Sequence, residues 1–174
     1  MLWATIIPSS DQRAQLIMKL DRTDKLILNL IQENGRISNL ELADKIGLSA
    51  SPCSRRVKHL EELGLIEKHV TLLDQAKLGL KLTAYIHISM DRHTPDRFDN
   101  FEAQIAEIPD VMECCLITGN DADFQLKVIV PDMDHYQELL LGKLTRIKGV
   151  TGVRSSFMLR NILSRTVLPL DHIK

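Results

Sequence analysis

The 174-residue chain has little of what usually announces chemistry: three cysteines, one tryptophan, and aromatic residues at only 4% of the total. No two cysteines have C-x-x-C spacing, and Cys114 and Cys115 are adjacent on an alternating segment, so their side chains point to opposite faces. A disulfide framework and a zinc knuckle are both excluded by that spacing, and all three read as reduced thiols of a cytosolic protein. The six histidines (His59, His69, His87, His93, His135 and His172) are scattered without the helical or hairpin spacing of a metal set. There is no phosphate-binding loop, no dinucleotide fingerprint, and no nucleophile with a patterned base, so the chain is not expected to be an enzyme or to carry a cofactor. No apolar run reaches the ~20 residues that span a bilayer. The formal net charge of -1 gives no global attraction to nucleic acid or to an anionic membrane. Any such contact has to be made by a local patch.

What is present is ordinary globular material, 44% hydrophobic and 26% charged, long enough for one sizeable domain or two small ones. The opening "MLWATIIPSSDQRAQLIMKLD" lacks a basic segment ahead of its short apolar patch and does not read as a secretory signal. "MKLD" from Met18 reads as an alternative start, and residues 1–20 as a flexible extension without an assigned role.

Residues 21–65 are patterned as three helices. "DRTDKLILNLIQENGR" sets Leu26, Ile27, Leu30 and Ile31 on one face, with Thr23 or Asp24 as the expected cap and Asn34-Gly35 as the stop. "SNLELADKIG" begins with a capping box, Ser38 and Glu41, and stops at Gly47. The third helix, in "KIGLSASPCSRRVKHLEELGL", sets Cys53, Val57, Leu60 and Gly64 inward and Ser51, Arg55, Lys58, His59 and Glu62 outward. Residues 66–81 read as a connector with one or two short strands or a wing. From residue 82 the period changes to two: Leu82, Ala84, Ile86, Ile88 and Met90 share one strand face. A helix, two strands joined at Thr118-Gly119-Asn120-Asp121, a second helix from Pro131 and a last strand in "VTGVRSSFML" complete β-α-β-β-α-β. The expected fold is thus α+β: a three-helix, winged-helix-like helix-turn-helix domain, then a ferredoxin-like domain over 82–174.

Two helices joined by a short turn, the second with a basic outward face, match a helix that enters the DNA major groove. Its N-terminal N–H groups and dipole suit phosphate, Ser49, Ser51 and Ser54 supply hydroxyls, and Arg55, Arg56 and Lys58 put three positive charges within four residues, with His59 beside them. Arg55 is the most outward and can donate in bidentate fashion to guanine; Arg56 and Lys58 are assigned to phosphate. Periodicity alone leaves open a solvated basic face on an ordinary bundle.

The spacing of "LD-x-x-D-x-x-I-L", "NGR-I-S", "ELA", "GLS-x-S-P-C-x-x-R-V-x-x-L" and "G-x-I" resembles the DNA-binding domain of the Lrp/AsnC (feast/famine) transcriptional regulators. "CCLITGNDADFQLKVIVPDM" and "GVRSSFML" resemble that family's ligand-sensing domain, so the likeness covers about residues 20–170. It implies homodimers formed by the sheets, often four dimers in a ring, with an amino acid bound where sensing domains of neighbouring dimers meet. On this basis Gly119, Asn120, Asp121 and Asp123 form the effector loop, and Leu116, Met133, Ser155 and Ser156 line or adjoin the pocket. Ala122 departs from the commoner aromatic in that loop. An aspartate can accept from the ammonium of a zwitterion and a glycine-rich turn can offer N–H groups to its carboxylate; without the resemblance, the same residues read rather as a plain hairpin turn whose aspartates are turn formers. Leu116 and Met133 favour leucine or methionine as effector. The expected function is a sequence-specific regulator of amino-acid metabolism genes, acting on double-stranded DNA in the cytoplasm at the bacterial nucleoid. The rival readings are an architectural nucleoid protein of low sequence preference and an amino-acid-binding regulatory subunit of an enzyme.

Overall fold

The computed structural model describes residues 20–119 and 122–173. They form two compact units, one of residues 20–72 with 163–173 and one of residues 73–162.

The first unit holds α1 (Arg22–Glu33), α2 (Asn39–Ile46) and α3 (Ala50–Glu62). Asp21, rather than Thr23 or Asp24, caps α1. Its Oδ1 accepts from the Asp24 N–H at 2.8 Å, and Asp24 Oδ2 accepts from the Asp21 N–H at 3.2 Å, a reciprocal box built from two aspartates. The expected box at α2 forms, with the Glu41 N–H donating to Ser38 Oγ at 3.2 Å and the Ser38 N–H to Glu41 Oε2 at 3.0 Å. Gly47 ends α2 at φ 69°, a left-handed conformation in which a Cβ would be strained. Ile27, Leu42, Ala43, Cys53 and Leu60 make the core of this unit, together with Leu20 and Ile173. Leu20 therefore packs with the helices instead of belonging to a flexible extension; residues 1–19 lie outside the described residues. No strand or wing forms between 66 and 81 among the described residues, where a turn over 75–79 precedes β1.

The second unit has the expected element order: β1 (Leu82–Met90), α4 (Pro95–Ala106), β2 (Val111–Leu116), β3 (Phe124–Val130), α5 (Met133–Glu138) and β4 (Val150–Phe157). The sheet runs β2-β3-β1-β4 and all its pairings are antiparallel. Alternation puts Ala84, Ile86 and Ile88 of β1 and Phe124, Leu126 and Val128 of β3 on one face, where they meet Phe101 and Ile105 of α4 and Tyr136, Leu139 and Leu144 from α5 and the turns after it. After α5 the chain widens into a π-helical turn over Leu139–Lys143 and then a short 3-10 turn. Residues five apart sit about 140° from each other on a regular helix, so this change of winding is what lets Leu139 and Leu144 both be buried. By contact, the second unit ends at 162, and residues 163–173 pack with the helices.

Candidate DNA-binding and effector sites

The heads of α2 and α3 are tied by Asn39 Nδ2 donating to the Ala50 carbonyl at 2.9 Å, a contact that sequence reasoning missed. Cys53 and Leu60 are fully buried and hold the inner face, and desolvation pushes the Cys53 thiol up, which suits packing and not nucleophilic work. On the outer face Ser51, Ser54, Arg55, Lys58 and His59 are all exposed. Ser49 occupies the N-cap without giving its hydroxyl to a cap hydrogen bond, unlike Ser38 at the head of α2. Lys58 lies 3.7 Å from Glu62, an exposed pair of the kind that holds a side chain only weakly.

Arg56 is the exception to the expected set. It lies about 100° around the helix from Arg55, and its Nη1 is 2.7 Å from both Asp24 Oδ1 and Asp21 Oδ2. These contacts raise the Arg56 pKa, with the Asp24 hydrogen bond the largest cause, and they tie α3 to the head of α1. The residue assigned to phosphate from sequence is thus engaged within the helical unit. The signal was present in "LD-x-x-D", but periodicity along one helix does not reveal a partner on another.

In the sensing unit the expected effector residues form two groups. Leu116 ends β2, Gly119 follows at φ 93°, and the loop is closed by the Ile117 N–H donating to the Asp123 carbonyl at 2.8 Å. Asn120 and Asp121 lie outside the described residues. Asp123 is engaged within the unit: its Oδ2 accepts from the Met90 N–H at 2.7 Å and its Oδ1 lies 2.7 Å from His93 Nε2. These contacts make Asp123 a brace at the base of the loop, and His93 is a neighbour that sequence spacing did not select.

The second group is elsewhere. Met133 opens α5 and is 51% exposed; Ser155 pairs with Ile86 and takes a hydrogen bond from the Tyr136 hydroxyl, while Ser156 pairs with Tyr85 on the opposite face. Leu116 and Ser155 stand on the two edge strands, three strand spacings or roughly 14 Å apart across the sheet. Within one chain these residues do not close around a common ligand. Leu116 lines an open cleft of about 410 Å³ between α4 and β2, with Ile105, Val111, Cys114 and Phe124, and among the described residues no other expected effector residue borders it. Desolvation, with Glu102 adding to it, pushes the Cys114 thiol up to about 11. Among the described residues no cluster of His, Cys, Asp and Glu could hold a metal ion, and no helix is long and apolar enough to cross a membrane.

Residues 20–67 match the family model described as winged helix-turn-helix DNA-binding, and residues 83–168 match the Lrp/AsnC ligand binding domain. The Bkd operon transcriptional regulator of Pseudomonas aeruginosa is 40% identical over 87% of this chain and 99% of its own length. The leucine-responsive regulatory protein of Escherichia coli K12 is 39% identical over 82% of this chain and 87% of its own. A transcriptional regulator of Neisseria meningitidis, solved as its L-Met complex, superposes with a TM-score of 0.85 at 38% identity, covering 89% of this chain and 99% of that one. The helix-turn-helix with its outward basic face and the four-stranded sensing unit, each matched by its own model, thus place this chain in the Lrp/AsnC family of DNA-binding transcriptional regulators with an amino-acid-binding domain.

Proposed function

We propose that the protein is a sequence-specific regulator of amino-acid metabolism genes that answers to leucine or methionine, and that it works by binding rather than by catalysis. The observation that carries the DNA half is the face of α3, where Ser51, Ser54, Arg55, Lys58 and His59 are exposed together beside an N-cap serine with no cap hydrogen bond. Ser49 and Ser51 meet phosphate at the helix N-terminus, Arg55 reads a base edge, and Lys58 neutralises phosphate.

The effector half rests on Leu116 and Met133, large apolar side chains 56% and 51% exposed in one chain, and on the L-Met complex of the meningococcal relative. The two groups of effector residues come together when sensing units of different chains meet, so the site is completed by assembly of homodimers into a tetramer of dimers. Asp121 is then the acceptor for the effector's ammonium, Gly119 and Asn120 give the loop its N–H groups, and Ser155 and Ser156 complete the wall. An effector at such a junction alters DNA affinity only through its differential affinity for two assemblies. The domains on this reading are a helix-turn-helix over 21–65, a connector over 66–81 and a sensing domain from 82, in a protein acting in the cytoplasm on the nucleoid.

A thermal-shift titration with leucine, methionine, asparagine and lysine, followed by light scattering and DNA titration at saturation, tests the effector. A ligand of the native state raises the melting temperature, and leucine or methionine is expected to do so while asparagine and lysine do not. If neither changes melting, scattering or DNA affinity, the effector reading fails.

A further inference from the structure

The C-terminal segment 163–173 has no regular secondary structure, yet it is held to the DNA-binding unit by specific contacts. Gln32, near the end of α1, makes a two-point pairing with the backbone of Leu168: its Nε2 donates to the Leu168 carbonyl at 2.9 Å and its Oε1 accepts the Leu168 N–H at 2.9 Å. About two turns further back on the same helix, Lys25 Nζ donates to the Ile173 carbonyl. Ile173 is only 7% exposed and joins the core cluster of the helices, and Leu170 packs against that cluster. By contrast Leu159, Ile162 and Leu163 are 98%, 80% and 66% exposed, so anchoring is confined to the last stretch.

We propose that α1 carries a docking groove for the chain's own C-terminal segment, and that its occupancy sets how firmly α1 backs the recognition helix. The groove reads the segment by its backbone through Gln32 and Lys25, and by two apolar side chains, Leu170 and Ile173. The consequence follows from what else α1 does. Its first turn holds α3 through Asp21, Asp24 and Arg56, so a tail docked along α1 lowers local opening of the helix on which α3 leans. The chain also passes between its two compact units twice, at 72–73 and at 162–163. The second passage continues directly from β4, the strand that bears Ser155 and Ser156, so the clasp gives the sensing unit a covalent route to α1 besides the connector.

Three full-length variants test this. Gln32→Ala removes both bonds to Leu168, Gln32→Glu keeps only the acceptor, and Leu168→Pro removes the tail's N–H in an exposed stretch outside any helix. Hydrogen exchange of the α1 amides is the primary readout, which does not depend on any DNA or effector assignment, so its outcome is distinct from that of the proposed function. Exchange is expected to quicken about five- to tenfold in Gln32→Ala. A smaller gain is expected in the other two, with weaker DNA binding in the same order. Adding excess synthetic peptide of residues 163–174 to a chain ended after Val167 is expected to slow α1 exchange again, and a scrambled peptide is not. Unchanged α1 exchange in Gln32→Ala and Leu168→Pro, or equal rescue by the scrambled peptide, would overturn the proposal.

Discussion

Arg56 reaches from the middle of α3 to Asp24 in the first turn of α1, with Nη1 2.7 Å from Oδ1, and Asp24 is only 7% exposed. Asp24 also accepts from the Asp21 N–H, so the pair joins a helix cap to an interhelical clamp. Arg56→Ala leaves a nearly buried carboxylate without its cation. Because the Arg56 side chain is 37% exposed, the loss is set at the lower end for such pairs, about 1–2 kcal/mol of stability in the DNA-binding unit. Calorimetry on Arg56→Ala and Arg55→Ala checks it: the first is expected to melt lower, the second to melt like wild type.

Ser38 and Ser49 both cap helices, but only Ser38 gives its side chain to the cap. Ser38→Ala is therefore expected to cost about 1 kcal/mol of unfolding free energy. Ser49→Ala should cost a few tenths at most while weakening DNA binding, a dissociation that urea melts and anisotropy titrations of the same two variants read directly.

Much of this was legible in the sequence because it is local. The capping box of α2, the stop at Gly47 and the alternation of β1 and β3 are all set by residues within a few positions of one another. The Arg56 clamp was hidden for the opposite reason: its partners are 32 and 35 residues away, and helical period alone does not distinguish a cation facing solvent from one facing a neighbouring helix. The contacts of Asp123 were hidden likewise, since Met90 and His93 reach it only through β1–β3 pairing. The tail over 163–173 carries no period at all, and only contact shows where it goes.

Asp123 braces the loop between β2 and β3 through the Met90 N–H and His93. Asp123→Ala is expected to lower the stability of the sensing unit by about 1–2 kcal/mol. Asp123→Asn keeps an acceptor for Met90 and should lose less, and His93→Ala less still because that histidine is 72% exposed. The three melting curves should fall in that order.

His135 Nδ1 lies 2.7 Å from Asp132 Oδ1 at the start of α5, next to Met133. The hydrogen bond to Asp132 raises the His135 pKa above 6.5, and hydrogen bonding to the His135 N–H lowers that of Asp132 below 3.8. A raised histidine stabilises the fold below its unfolded pKa and loses that contribution as pH rises through its folded value. A lowered aspartate stabilises above its unfolded pKa and loses it as pH falls through its folded value. The pair is therefore strongest between about pH 4 and 6.5. An NMR titration of His135 should give a midpoint above the ordinary histidine value, and Asp132→Asn should return it toward that value.

The claim on which the account turns is that the exposed face of α3 carries DNA contact through Arg55 and Lys58. The most direct test is the salt dependence of binding to a cognate promoter fragment by the Arg55→Ala/Lys58→Ala double variant, with its fold verified by circular dichroism. Each lost phosphate contact lowers the slope of log affinity against log salt by about 1, so the double variant, which loses the Lys58 phosphate contact and the Arg55 base contact, should bind at least tenfold more weakly at low salt, with a slope shallower by about one. A folded double variant with wild-type affinity and wild-type slope would contradict the account.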